Sequence, residues 1–179
     1  MPERRLFDFA DPAATAAWAA IDDTVMGGVS SSELRPTADG TAVFRGTVSL
    51  ENDGGFASVR SGAVDFDLAG ADGLALRVRG DGRAYKLQVR TDAAFDGIAY
   101  QARFTPPAGA WETVRLPFSA FAPTFRGRVL GGAPPLDPGA VRRLGLLISD
   151  RQAGPFALEL AWIAASEAAG APPPRGVTS

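Results

Sequence analysis

Short segments in which apolar and polar residues alternate recur along most of the chain. In GLALRVRG (73–80), leucine, leucine and valine alternate with alanine and two arginines. The segments AYKLQVRT (84–91) and IAYQARFT (98–105) repeat the pattern with lysine, arginine and glutamine at the alternate positions. A period of two is typical of a β-strand with one face toward a core and the other toward solvent. We therefore predict an all-β domain.

Other segments complete this picture. RLGLLISD (143–150) is apolar on both faces and predicts a central, covered strand, and GPFALELAWIAA (154–165) predicts a closing strand. DPAATAAWAA (11–20) predicts a short helix with Asp11 as its N-cap, and DGR (81–83) predicts a tight hairpin turn. Many short strands with connections rich in glycine and proline are typical of a jelly-roll β-sandwich of two antiparallel sheets. We predict one domain over residues 1–165 and a disordered tail over 166–179.

The composition excludes several classes of function. The 179 residues include no cysteine and no histidine, which removes thiol chemistry, the commonest general base and the commonest transition-metal ligand. The formal net charge of −2 argues against nucleic acid as a partner. No apolar run is long enough to span a membrane, and Asp8 and Asp11 interrupt any signal-peptide core, so we expect a soluble, cytoplasmic protein.

The segment IDDTVMGGVSSS (21–32) concentrates acids, glycines and serines. No lysine follows the two glycines, which argues against a phosphate-binding loop. The serines have no histidine to activate them as nucleophiles. We interpret the segment as architecture, with Met26 as a contact for another protein as the alternative.

Acidic residues beside glycines form a second group of candidates. Asp22 and Asp23, and Glu51 and Asp53 in ENDGG, most simply form turns and caps. The same carboxylates suit two other roles, oxygen ligands for a cation or the paired acids of a glycosidase. We predict no metal site and keep these four residues as weak candidates.

The polar sides of three middle strands form the main candidate site. If strands that are adjacent in sequence also lie side by side, their polar residues form one basic, amide-rich face on one sheet. Arginine there would suit carboxylates or planar polar groups, and the alternative is a solvated exterior. The predicted binding residues are Arg77, Arg79, Gln88, Arg90, Gln101 and Arg103.

Several long motifs resemble one known family. WAAIDDTVMGGVSSS (18–32), FRGTVSLENDGGFASVRS (44–61), LRVRGDGRAYKLQVRT (76–91) and LGLLISDRQAGPFALEL (144–160) together resemble the complex I intermediate-associated protein 30 family. The resemblance implies a galactose-binding-like β-sandwich and a chaperone role in assembly of NADH:ubiquinone oxidoreductase. It implies no catalytic residues and no cofactor, and it makes the partner a protein such as an assembly intermediate of that complex.

The expected function is therefore a non-enzymatic binding module that acts as an assembly factor for respiratory complex I. A carbohydrate-binding module with a ligand site on a sheet face is the alternative, because the implied fold is shared with sugar-binding domains. Sugar-binding surfaces usually expose aromatic rings, whereas Tyr85, Tyr100 and Trp111 fall at positions that the alternation assigns to the core. We expect neither nucleic-acid binding nor direct membrane insertion.

Overall fold

The computed structural model describes residues 3–21, 30–51, 55–91, 98–125, 128–129, 131 and 135–167. Within these residues, one short helix, α1 (Ala13–Ala16), accompanies the strands, and 3-10 turns occupy Phe118–Ala120 and Pro138–Ala140. The strands are β1 (Glu3–Asp8), β2 (Trp18–Ala20), β3 (Ser31–Pro36), β4 (Ala42–Val48), β5 (Ala57–Ser61), β6 (Ala71–Arg79), β7 (Tyr85–Arg90), β8 (Ala99–Phe104), β9 (Trp111–Pro117), β10 (Ala122–Phe125), β11 (Arg128–Val129), β12 (Arg143–Ile148) and β13 (Gly154–Glu167).

The strands form two antiparallel sheets, as predicted. The first sheet has the order β3-β4-β13-β6-β9, and β1 also pairs with β13. The second sheet has the order β11-β10-β8-β7-β12-β5-β2. This two-sheet architecture with little helix confirms the jelly-roll β-sandwich.

The centre of the first sheet is the last strand that the structure describes. One edge of β13 pairs with β6, and its other edge pairs first with β4 and then with β1. The register shifts between Leu160 and Trp162, so that a bulge falls where β13 passes from β4 to β1. β13 extends to Glu167, two residues beyond the predicted domain boundary, and residues 168–179 of the predicted tail lie outside the described residues.

The core lies between the sheets and is filled by the inward positions of the alternating strands. The Tyr85 ring packs against three phenylalanine rings. Their centroids lie 6.2 Å (Phe44), 6.2 Å (Phe104) and 6.3 Å (Phe156) from the centroid of Tyr85. A second aromatic cluster joins Phe7 of β1 to Trp18, with centroids 5.1 Å apart. These rings connect the two sheets, because Phe44 and Phe156 belong to the first sheet and Tyr85 and Phe104 to the second.

The connection between β6 and β7 is not the predicted hairpin. Gly82 does adopt a positive φ of 87°, but β6 belongs to the first sheet and β7 to the second. The Asp81 carboxylate accepts hydrogen bonds from the Tyr85 hydroxyl at 3.0 Å and from the Ala157 amide at 2.8 Å. Asp81 therefore fixes a turn that carries the chain across the sandwich.

The predicted helix is shorter than its sequence pattern. The Asp11 carboxylate accepts a hydrogen bond from the Ala13 amide at 3.0 Å, which supports the start of α1. The helix ends at Ala16, and Trp18 begins β2 with its ring in the core. No helix in the described part of the chain is long and apolar enough to cross a membrane.

Candidate binding face

The six polar residues predicted to form one face lie on two different sheets. Arg77 and Arg79 are on β6 of the first sheet, whereas β7 and β8 of the second sheet carry the others. The prediction of one common face was wrong, because the chain changes sheets at the turn that follows β6. The four residues Gln88, Arg90, Gln101 and Arg103 do remain together on the outward side of the second sheet.

The structure adds further residues to this outward side. One row across the strands contains Arg60, Gly145, Gln88 and Gln101 in direct register. A second row contains Leu147, Lys86 and Arg103, and a third places Arg143 opposite Arg90. We call this surface the basic face and define it by its five cations, Arg60, Lys86, Arg90, Arg103 and Arg143.

The two sheets differ sharply in charge composition. The described strands of the second sheet contain six lysines and arginines and no aspartate or glutamate. The strands of the first sheet contain seven basic and seven acidic residues. Cations that lie together without intervening acids create a local positive potential, although the whole chain has a net charge of −2.

One pair of neighbouring cations on the basic face shares a carboxylate from the same chain. Lys86 and Arg103 lie directly opposite each other on β7 and β8. Asp150, in the turn that follows β12, has a carboxylate oxygen 3.1 Å from the Lys86 ammonium and another 3.8 Å from the Arg103 guanidinium. Like charges in directly opposed positions are unfavourable, and the Asp150 carboxylate offsets that repulsion.

A second pair of neighbouring cations lies at the other end of β7, on β7 and β12. Arg143 is directly opposite Arg90, and one Nη of Arg143 donates to the Ser61 carbonyl at 3.2 Å. The Nε of Arg143 is buried and has no hydrogen-bond partner among the residues that the structure describes. A guanidinium cannot lose its proton in a protein, so this N–H group remains a donor without an acceptor.

An amide side chain lies between the two pairs of cations. Gln88 is only 8% exposed, and its Oε1 would be 3.2 Å from a Cβ atom built on Gly145. Gly145 therefore lets the Gln88 side chain lie flat against β12. Because no side chain extends from Gly145, the middle row of the basic face is recessed relative to the rows on either side, which carry cations.

On the outward side of the first sheet, both predicted arginines have partners within the chain. Arg79 forms an ion pair with Glu159, which also accepts a hydrogen bond from Thr41 at 2.6 Å. Arg77 donates to the Thr113 hydroxyl at 3.2 Å. Trp111 lies opposite Arg79, whose guanidinium is 5.2 Å from the ring centroid, so its predicted core position was wrong. Trp111 is on edge strand β9, where the outward register places it beside arginine.

The acidic candidates form no metal site in the described part of the chain. Glu51 is exposed, and no group of three or more potential metal ligands occurs among the described residues. Asp22, Asp23, Asp53 and Met26 lie outside the described residues. In the segment 21–32, the hydroxyls of Ser30 and Ser32 donate to the Ser49 and Ser58 carbonyls, respectively, both at 3.2 Å.

Among the described residues, one titratable group has a strongly shifted pKa, and that group belongs to the core. Burial raises the pKa of the Tyr85 hydroxyl well above its ordinary value, and the neighbouring Asp81 carboxylate raises that pKa further. The hydroxyl serves as a hydrogen-bond donor to Asp81, so its role is structural.

A protein-family model matches most of the length of the chain. The model of the complex I intermediate-associated protein 30 family matches residues 7–160. The chain belongs to this family. Its residues are 30% identical to the mitochondrial complex I intermediate-associated protein 30 of Drosophila melanogaster, over 88% of this chain and 61% of that protein. The corresponding mouse protein is 32% identical over 82% of this chain and 51% of its own length. The chain thus spans about half to three fifths of these relatives.

Solved structures with low sequence identity have a similar fold. A family 11 carbohydrate-binding module of a Clostridium thermocellum cellulase superposes with a TM-score of 0.69 at 17% identity, over 94% of this chain and 96% of that one. A family 29 carbohydrate-binding module superposes with a TM-score of 0.54 at 10% identity, over 93% and 89% of the two chains. At these identities the similarity concerns the fold, which is the jelly-roll sandwich predicted from the alternation.

Sequence reasoning missed two arginines and one acid of the basic face. Arg60 and Arg143 are separated from β7 in sequence and reach it through the strand order β5-β12-β7. Asp150 reaches Lys86 from the end of β12. The absence of acidic residues from several strands is visible in the sequence, but only the strand order shows that these strands are neighbours.

Proposed function

We propose that the protein is a non-enzymatic binding module that assists assembly of respiratory complex I by binding a protein intermediate on the basic face. Family membership supports the role in assembly, since the relatives are named as complex I intermediate-associated proteins. The observation that carries the choice of surface is the charge difference between the sheets. The described strands of the first sheet carry acids beside their arginines, as in the ion pairs Arg45–Glu33 and Arg79–Glu159, whereas the described strands of the second sheet contain no aspartate or glutamate.

A basic surface of this kind suits recognition of an acidic protein surface. Arginine is enriched at protein interfaces and binds carboxylates through two parallel hydrogen bonds. Complementary charge accelerates association and selects among partners, and added salt weakens it. The proposed binding residues are Gln88, Arg90, Gln101 and Arg103 from the sequence prediction, together with Arg60, Lys86 and Arg143.

The test is affinity purification of the tagged protein from cells of its source organism, followed by mass spectrometry. Wild type should recover subunits of NADH:ubiquinone oxidoreductase, and the double variant Arg90→Ala with Arg103→Ala should recover them at about a tenth of that level or less. The matched control is Arg77→Ala with Arg79→Ala, which removes two arginines from the other sheet. Equal recovery by both double variants would count against the basic face, and absence of these subunits from the wild-type sample would count against the assembly role.

A carbohydrate-binding module remains the second candidate, favoured by the structural similarity to two families of such modules. The basic face carries no aromatic side chain in its three rows, whereas stacking on aromatic rings is a common way to bind sugars. The outward tryptophans of the first sheet, Trp111 and Trp162, lie under the guanidinium groups of Arg79 and Arg5. Retention on gels of soluble β-glucan, lost in Trp111→Ala, would favour this candidate.

A further inference from the structure

The turn between β12 and β13 holds two consecutive residues in a backbone conformation that favours glycine. The φ angle is 63° at Asp150 and 57° at Arg151. For a residue with a side chain this left-handed region costs free energy, and it persists only where the surrounding structure enforces it. Residues in such conformations are concentrated at sites that bind ligands or partners. The turn is therefore a candidate for a functional contact.

Hydrogen bonds on one side of Arg151 tie the turn to the connection between β6 and β7. The Gln152 side-chain oxygen accepts from the Ala84 amide at 2.9 Å, and the side-chain nitrogen donates to the Ala84 and Ser149 carbonyls at 2.8 and 2.9 Å. Arg83 also donates to the Gln152 carbonyl at 2.9 Å. These bonds fix the backbone next to Arg151 and account for the persistence of its strained conformation.

Asp150 ties the other side of Arg151 to the basic face. The Asp150 carboxylate lies 3.1 Å from the Lys86 ammonium and 3.8 Å from the Arg103 guanidinium. The Arg103 side chain is itself 60% exposed. Because Arg151 follows Asp150 directly in the chain, it stands beside the Lys86 end of the basic face and adds a cation there.

The Arg151 side chain takes no part in this network. It is exposed, and it makes no hydrogen bond, ion pair or ring contact within the described part of the chain. Glycine at this position would avoid the backbone strain, whereas arginine retains it. An arginine whose backbone is held in a strained conformation and whose guanidinium is open to solvent is suited to a contact outside the chain.

We infer that Arg151 contacts the protein partner directly and binds a carboxylate on it, at the Lys86 end of the basic face. This inference rests on the proposed function and adds a contact residue to it. A guanidinium binds a carboxylate through two parallel hydrogen bonds, which gives the contact a defined direction. Because the turn is already held by the bonds of Gln152 and Asp150, the backbone of Arg151 needs little further ordering on binding.

The inference is tested with a defined probe. A fluorescein-labelled peptide of alternating glutamate and serine is titrated with the 179-residue chain at low salt, and fluorescence anisotropy reports binding. Arg151→Gly and Arg151→Ala should both bind the peptide about fivefold more weakly than wild type. Arg151→Lys should restore part of the affinity, because an ammonium keeps the charge but cannot form the paired bonds. The matched control Arg35→Ala removes an exposed arginine from the first sheet and should bind like wild type.

A measurement of stability distinguishes a contact residue from a structural one. The midpoint of urea unfolding should be higher in Arg151→Gly than in wild type, because glycine relieves the strain, although the same variant binds the peptide more weakly. The midpoint should not rise in Arg151→Ala, which keeps the strain. If Arg151→Gly is less stable than wild type, the arginine has a structural role and the inference is overturned.

Three binding results would also overturn the inference. The first is that wild type does not bind the glutamate peptide, and the second is that Arg151→Gly binds it with unchanged affinity. The third is that a labelled single-stranded oligonucleotide or anionic phospholipid vesicles bind wild type more tightly than the peptide does, which would indicate another class of ligand.

Affinity purification separates failure of this inference from failure of the proposed function. If Arg151→Gly recovers complex I subunits at the level of wild type, the Arg151 contact is refuted and the assembly role stands. If wild type recovers no such subunits but its binding of the glutamate peptide depends on Arg151, the assembly role fails and the contact with carboxylates stands.

Discussion

At the scale of single residues, one hydrogen-bonded pair connects the two sheets. Tyr85 lies on β7 of the second sheet at the centre of an aromatic cluster. Its hydroxyl donates to Asp81, which lies in the turn between β6 of the first sheet and β7. Asp81 also accepts from the Ala157 amide of β13. The alternation predicts the core position of Tyr85, but the hydroxyl contact depends on a turn that the sequence alone assigns to a hairpin. To predict this hydrogen bond, one would have to know that the chain passes from the first sheet to the second between β6 and β7.

The titration of Tyr85 gives a prediction with a definite sign. The pKa of its hydroxyl is raised in the folded protein, whereas an unfolded tyrosine titrates near pH 10. The folded state therefore holds the proton more tightly, so the stabilisation is complete below about pH 10 and is lost as the pH rises further. We expect the free energy of unfolding, measured in urea, to decrease between about pH 9 and pH 11 more steeply in wild type than in Tyr85→Phe.

The same variant reports the strength of the contact. At neutral pH, Tyr85→Phe should be less stable than wild type by about 2 kcal/mol, the value typical of a hydrogen bond to a charged group. Tyr100→Phe is the matched control for loss of a tyrosine from the core. Equal pH dependence in wild type and Tyr85→Phe would show that another group controls alkaline unfolding.

At the scale of elements, the turn between β12 and β13 carries an unusual backbone. Asp150 and Arg151 both have positive φ angles, 63° and 57°, a region that favours glycine. Asp150 has a compensating role, because its carboxylate contacts Lys86 and Arg103. Arg151 is exposed and has no described contact of this kind. The strain at Arg151 is thus not offset by an ion pair within the described structure.

Arg151→Gly should therefore stabilise the protein by about 1 kcal/mol, because glycine adopts positive φ without steric cost. Unfolding in urea, with midpoint and slope compared to wild type, measures this change. Arg151→Ala is the matched control, since alanine removes the charge and keeps the strain. A gain of the same size in Arg151→Ala would assign the effect to charge and contradict the backbone argument.

The pairing of β3 with β4 depends on a glycine. A Cβ atom at Gly46 would lie 1.9 Å from the Ser31 carbonyl oxygen, which no side chain can tolerate without displacement of β3. Gly46→Ala should cost about 2–4 kcal/mol of stability and increase hydrogen exchange in residues 31–36. Gly62→Ala is the control, because nothing lies within 4 Å of its added Cβ. Unchanged protection of β3 in Gly46→Ala would disprove the close approach.

At the scale of the whole molecule, the sequence predicts the class of fold and the side of each strand that faces the core. It does so because burial of apolar side chains fixes a period of two in each strand. It does not predict which strands are neighbours, since pairing depends on contacts between residues far apart in the chain. The candidate site shows the consequence: Gln88 and Arg103 were placed together correctly, Arg77 was placed with them wrongly, and Arg143 was missed.

The extent of the folding unit can be measured by truncation. A chain that ends after Glu167 should unfold at the same temperature as the 179-residue chain, as the predicted tail implies. A chain that ends before Gly154 should not fold, because it lacks the strand that pairs with β1, β4 and β6. Circular dichroism and thermal unfolding of the two proteins test both statements. A cooperative transition in the shorter chain would show that β13 is dispensable.

The central position of β13 also determines when the domain can fold during synthesis. β4 and β6 leave the ribosome early, but they are not adjacent in the first sheet, since β13 lies between them. Until residues 154–167 emerge, both strands present unpaired edges, which are prone to pair with other chains. The nascent segment is therefore an expected client of ribosome-associated chaperones until β13 has been synthesised.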